Sequence, residues 1–259
     1  MKRCAFLTFL IVISATSIQA IPLQDSPPGQ QRTPAEPQKS ADTNRSLERI
    51  KGRTAAERRE AIEQLAESED PRAVDAVIAA LKDQEGDVRA SAANALGQLG
   101  DKRAVAPLIA MLNDDVSFVR AAAARVLGQL GDAKALDPLT TSLRDGNSTV
   151  RGAAAMGLGS LKEPRAVPAL IAALRDEAPD VRAAVATALG DIRDKHAVDP
   201  LLQALKDESR MVKLAAALAL ADLGDKRAVP ALTEAVANEK DEEARSQMKE
   251  ALQRLVAAP

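Results

Sequence analysis

Tryptophan and tyrosine are missing from the 259-residue chain, phenylalanine occurs three times, and histidine and cysteine occur once each. Two of the phenylalanines are Phe6 and Phe9, so Phe118 is the sole aromatic side chain beyond the N-terminal segment. That shortage takes away the stacking platforms with which proteins hold single-stranded nucleic acid. Charge of one sign is missing too: 35 basic residues face 37 acidic ones, for a formal net charge of −2. No basic field draws in nucleic acid or an anionic membrane, and nucleic acid is not expected as a partner. Cys4 lies at the very start, so the rest of the chain has neither disulfide nor thiolate chemistry. With His196 as the only histidine, zinc and transition metals have no ligand set. The expectation is a protein without cofactor, metal or catalytic residue.

Long apolar runs are scarce as well, and the one at the N-terminus, AFLTFLIVISA, is short for a membrane span. Lys2 and Arg3 precede it and small residues follow, which is the pattern of a secretory signal peptide. Residues 1–20 are assigned to it, with cleavage after Ala20, or after Ser17, or retention as an anchor as the alternatives. Cys4 sits inside this peptide rather than just after its apolar stretch, where lipid attachment would need it. Export predicts a periplasmic or secreted protein that meets the membrane only transiently, through the signal peptide. Residues 21–46, IPLQDSPPGQQRTPAEPQKSADTNRS, are rich in Pro, Gln and Ser without an apolar period, and predict a disordered tether.

What the chain does have is repetition. From Asp70 a 31-residue unit is written six times, with further starts at Asp101, Asp132, Glu163, Asp194 and Asp225. A period of this length marks a solenoid, in which each unit buries its apolar face against its neighbours. Residues 47–69 read as a degenerate N-terminal cap, and the solenoid is assigned to residues 47–259. Counting from each opening acid, apolar residues recur at positions 5, 8, 9 and 12, as in Val105, Leu108, Ile109 and Leu112. They define an amphipathic first helix whose N-cap is the opening acid. Pro107, Pro138 and Pro200 at position 7 mark either a late start of that helix or a kink. A second helix carries Val88, Ala92, Leu96 and Leu99 on one face and ends at Gly100, Gly131 or Gly224, suited to a left-handed cap. A further glycine at Gly97, Gly128, Gly159 and Gly190 predicts close approach of a neighbouring helix.

The pattern D-x-R-A-V-x-P-L-I-x-A-L-x-D followed by V-R-x-A-A-A-x-A-L-G-x-L-G resembles the HEAT repeat, in its short phycobilisome-lyase-type form. The resemblance implies an all-α, right-handed α-solenoid of two-helix units. It also implies that the acids at position 14 and the Arg or Lys at position 20 form a structural ladder. HEAT-like hydroxylases bind iron through His-Glu pairs, and no such pair exists here. His196 occupies position 3, elsewhere Arg or Lys, and reads as a basic-for-basic exchange.

Whatever recurs in every unit is architecture, so specific function belongs to residues that differ. Positions 18, 21, 22, 25 and 29 of the second helix project opposite its buried stripe. In solenoids resembling this one the second helices line the concave surface. The candidate partner-binding residues there are Phe118, Ala122, Arg125, Met156, Thr187, Met211, Leu214 and Leu218. Phe118, Met156, Met211, Leu214 and Leu218 would form a broken apolar strip that either binds a partner or completes the packing. The expected function is an exported, non-catalytic protein–protein interaction scaffold, acting as a monomer with one protein partner. The alternatives are an accessory subunit of a bilin-lyase-type enzyme and a structural element of the envelope without a specific ligand.

Overall fold

The computed structural model describes residues 36–257, which belong to one compact unit starting at Glu36. Residues 1–20, expected to be a signal peptide, and residues 21–35 of the expected tether lie outside the described residues. Helices follow one another in pairs: α1 (Glu36–Arg49) with α2 (Ala55–Ala66), α3 (Pro71–Ala80) with α4 (Gly86–Leu99), and α5 (Val105–Met111) with α6 (Ser117–Leu130). Next come α7 (Leu136–Ser142) with α8 (Ser148–Leu161), and α9 (Val167–Ala173) with α10 (Pro179–Ile192). The series ends with α11 (Val198–Ala204) and α12 (Arg210–Leu223), then α13 (Val229–Asn238) and α14 (Glu242–Ala257). Among the described residues there is no strand. The chain is an α-solenoid.

The tether expected for residues 21–46 does not extend past residue 35. Residues 36–46, assigned above to disorder, form most of α1, and Thr43 and Ser46 are buried against the next helix. Small polar groups hold it there: Thr43 Oγ1 lies 3.0 Å from Ser68 Oγ, and the Ser46 hydroxyl donates to Gln64 Oε1 at 2.7 Å. Leu47 and Ile50 add apolar contact with the core. A helix fixed by hydroxyls has no apolar period to read, which is why composition pointed the other way.

Proline decides how each first helix begins. Asp70, Asp101, Asp132, Asp194 and Asp225 each accept the backbone N–H two residues on. Glu163, one methylene longer and followed by Pro164, makes no such bond. In the five units starting from Asp101 to Asp225, a 3₁₀ turn separates this cap from the α-helix; in the unit at Asp70 it does not form. Those five carry Pro107, Pro138, Pro168, Pro200 or Pro230 at position 6 or 7, and the unit at Asp70 has no proline there. Proline has no N–H and its ring clashes with the carbonyl four residues back, so the α-helix starts where proline falls within its first turn. The alternative left open by the sequence resolves to a late start, not a kink.

The core lies between the layers. Position 8 supplies Val77, Leu108, Leu139, Leu170, Leu201 and Leu232, and position 27 supplies Leu96, Leu127, Leu158, Leu189 and Leu220, all fully buried. Each such leucine contributes about 2 kcal/mol by leaving water. Alanine at position 4, from Ala73 to Ala228, is equally buried.

Second helices pack lengthwise against the second helices before and after them, whereas first helices mainly touch the second helix of their own pair. Glycine makes that approach possible. A Cβ on Gly128 would stand 2.5 Å from Gly157 Cα, and one on Gly190 would stand 2.8 Å from Ala219 Cα. A stack curves towards its more closely spaced layer, so the second helices line the inner side.

An ion-pair ladder ties successive units. The guanidinium of Arg89, Arg120, Arg151 and Arg182 grips Asp114, Asp145, Asp176 and Asp207 of the following unit through paired 2.7–2.9 Å bonds. Arg58 and Asp83 add a rung before them, and Lys213 with Glu239, at 3.1 Å, adds one after. Each aspartate also accepts the N–H that opens its own second helix, as Asp176 does from Ala178 at 2.9 Å.

Two units break the glycine rule at the end of the second helix. Gly100, Gly131 and Gly224 have φ of 67°, 64° and 66°, but Lys162 and Arg193 take the same left-handed turn at 54° and 59°. Both side chains are exposed. A Cβ is strained in this conformation, so Lys162→Gly and Arg193→Gly are each expected to raise stability by about 1 kcal/mol. Urea denaturation followed by circular dichroism checks this; an unchanged or lowered midpoint would contradict it.

Candidate functional site

Along the inner layer, positions 18, 25 and 29 form the exposed crest of α4, α6, α8 and α10, with position 18 continuing it in α12, while positions 21 and 22 of these helices sink between neighbours. The angular reason is simple: at 100° per residue the first three fall within about 40°, and the other two flank them. Small side chains at 21 and 22, such as Ala121, Ala122, Gly152 and Ala153, make a shallow floor.

Four large apolar side chains among the described residues are exposed, and three of them stand on this crest. Phe118 is 47% exposed, Met156 45% and Met211 50%; the fourth, Val256, lies near the end of α14. Phe118 belongs to α6 yet reaches over Gly86 at the start of α4, where an added Cβ would meet its ring at 3.3 Å. Arg125 and Thr187 are exposed on the same crest, and Arg125 donates to Asn94 Oδ1 of the preceding unit at 2.5 Å. Ala122 is half-buried in the floor.

Leu214 and Leu218 need correction. Both are half-buried and packed on the core, so they are flank and floor rather than free anchors of the strip. In α12 the larger Leu at positions 21 and 25 folds against the neighbouring helix, where Ala or a polar group leaves space in other units.

His196 is exposed on a first turn, and its Nδ1 lies 2.7 Å from Asp194 Oδ1, in the N-cap geometry that Arg or Lys frames in other units. Among the described residues no group of three His, Cys, Asp or Glu side chains is placed to hold a metal ion, and no helix is long and apolar enough to cross a membrane. An open cavity of about 640 Å³ lies at the N-terminal end, but its lining Ser46 and Gln64 are engaged with each other.

The ladder carboxylates are partly buried titrating groups whose environment is repeated. Hydrogen bonds from Arg120, Arg151 and Arg182 hold Asp145, Asp176 and Asp207 below the usual carboxylate range, against the opposing effect of burial. In Asp83 and Asp114 burial is the largest single influence and pushes upward, yet the arginine and backbone bonds together still leave both lowered. Charges so paired are structural rather than reactive.

The variation between units marks the crest in the sequence. Val256 carries no such signal, whereas the preponderance of acidic groups on the crest is visible in the charge at each repeat position.

A family model described as HEAT repeats matches residues 45–125, 117–178 and 167–253. No curated protein sequence matches the chain. Among solved structures, the complex of CpcE and CpcF of phycocyanin lyase from Nostoc sp. is similar at 25% identity and a TM-score of 0.56, covering 92% of this chain and 92% of that one. YibA of Escherichia coli is similar at 20% identity and a TM-score of 0.56, over 87% of this chain and 99% of that one. Kap95p bound to RanGDP is similar at 16% identity and a TM-score of 0.66, over 86% of this chain but 37% of that one. The last two likenesses are of fold alone.

Proposed function

This chain belongs to the HEAT-repeat family, and from that premise we propose that it is an exported, non-catalytic scaffold that binds a protein partner on its inner face. The observation that carries the reading is the placement of Phe118, Met156 and Met211, three of the four exposed large apolar side chains, on one crest. Large apolar groups standing in water among small neighbours are the anchors that a protein interface desolvates. Arg125 and Thr187 supply polar contacts beside them, and Ala122, Leu214 and Leu218 shape the floor. A solenoid held by an ion-pair ladder presents this surface with little reorganisation on binding. Periplasmic or secreted location rests on residues 1–20, and the partner acts on a monomeric scaffold.

Phe118→Ser with Met211→Ser is expected to abolish specific capture of the partner from envelope extract while leaving helicity and melting temperature near those of the parent. Unchanged capture by a folded variant would overturn the docking face. The likeness to the complex of CpcE and CpcF favours a second reading, an accessory subunit of a bilin-lyase-type enzyme. On the scaffold reading, adding a free tetrapyrrole to the purified protein leaves the pigment's absorbance spectrum unchanged; a shifted spectrum would favour the second.

A further inference from the structure

The inner face carries more than all of the net negative charge of the solenoid. The last unit is one residue longer before its second helix, so its positions are counted one residue later; positions 18, 21, 22, 25 and 29 over all seven units then hold nine carboxylates and three basic groups, a net −6, while the rest of residues 36–259 nets +2. Two of those carboxylates are neutralised by neighbours, Glu60 by Arg49 and Asp222 by Arg254. Glu63, Glu67 and Asp87 towards one end, and Asp180, Asp191, Glu243 and Glu250 towards the other, are exposed and form no ion pair among the described residues. Elsewhere many of the acids serve caps, ladder rungs or surface ion pairs, as Asp70, Asp176 and Asp75 do.

The order along the crest is informative. With the last unit read in that shifted register, position 18 runs Asp87, Phe118, Thr149, Asp180, Met211, Glu243, so that Phe118 and Met211 share a row with three acidic side chains. Neighbouring rows of this kind are about 9 Å apart, close to the Debye length of about 8 Å at physiological salt. Each carboxylate is therefore felt mainly by a charge seated directly upon it, and a partner gains most if its own charges interleave with its apolar groups.

Resting on the inner-face docking reading above, we propose that the occupant is a cationic protein segment whose Lys or Arg side chains meet Asp87, Asp180 and Glu243 while apolar side chains cover Phe118 and Met211. Spanning the three helix steps from Phe118 to Met211, on the order of 27 Å, takes about nine extended residues. An anionic surface of this kind repels nucleic acid and acidic lipid. The Ala- and Gly-rich floor lets a backbone lie close.

The test is fluorescence anisotropy of the full chain with labelled synthetic peptides of about fifteen residues, long enough to cross four helices when extended. One peptide interleaves lysine with leucine, a second replaces every lysine by glutamate, and a third replaces every leucine by serine. The lysine–leucine peptide is expected to bind at least tenfold more tightly than either of the others. That preference is expected to fall about tenfold in Asp87→Asn, Asp180→Asn, Glu243→Gln combined, and to weaken as salt is raised. Equal binding of the lysine and glutamate peptides, a preference untouched by the triple variant, or no binding of any peptide would overturn the cationic assignment. If both leucine peptides bind equally and both are lost in Phe118→Ser with Met211→Ser, the docking face stands and only its charge preference fails. If the lysine–leucine peptide binds that double variant undiminished, the docking face itself is wrong, and the proposal goes with it.

Discussion

Gly128→Ala is expected to lower stability by about 3 kcal/mol, an effect at the upper end for adding one methyl group. The new Cβ would lie 2.5 Å from Gly157 Cα and 2.8 Å from its carbonyl oxygen. Both are backbone atoms, so no rotamer change relieves the clash, and α6 and α8 must move apart. Separation also loosens Leu127 and Leu158, which are buried between the layers. The gain of about 1 kcal/mol in helix propensity from Gly to Ala offsets only part of this. Gly152→Ala in α8 is the control, since nothing lies within 4 Å of the added Cβ. That substitution is expected to raise stability by up to about 1 kcal/mol, from propensity alone. Urea unfolding of the two variants reads both signs; equal effects would show that the interlock between second helices is not what limits their spacing. Hydrogen exchange adds a second readout, because units communicate only with neighbours and the damage should centre on α6 and α8.

Removing a rung of the ladder has an effect of similar size. Arg151→Ala is expected to destabilise by about 3 kcal/mol, because Asp176 is left in a site only 10% exposed without its counter-charge. The same change orphans the carbonyls of Asp145 and Gly146, which Arg151 Nη1 serves at 2.9 and 3.4 Å. Arg151→Ala combined with Asp176→Ala should be less destabilised than the two single changes added together, since no lone charge then remains. Strict additivity would show that the pair does not interact. The ladder also sets the acid limit. Its aspartates are lowered in the folded state relative to about 3.9 when unfolded, so their contribution is fully present above that value and lost as pH falls through the lowered native values. Stability is expected to be flat above about pH 5 and to drop steeply below about pH 4. In Arg151→Ala the drop is shallower, because Asp176 loses the first cause of its lowered value. Chemical denaturation across that range measures both curves.

Residue order alone made the two-helix unit legible, down to the capping role of Asp101 and Asp132 and the left-handed ends at Gly100 and Gly131. These are local effects, in which a side chain bonds to a backbone two residues away or a missing Cβ admits one turn. Periodicity also located the crest on which Phe118, Met156 and Met211 stand. It could not separate them from Leu214 and Leu218, because a helical wheel gives direction but not the distance to the next helix.

The sequence by itself therefore determined that this protein is a solenoid of repeated helix pairs, since a 31-residue period whose apolar side chains follow helical spacing buries them by stacking each pair on the next. Only the tertiary structure decided that residues 36–46 join the stack, that each arginine reaches the aspartate of the following unit, and which apolar side chains remain in water. The physical reason is common to all three. Each depends on the spacing between helices from different units, and that spacing is set by contacts such as Gly128 on Gly157, between residues 29 positions apart in the chain.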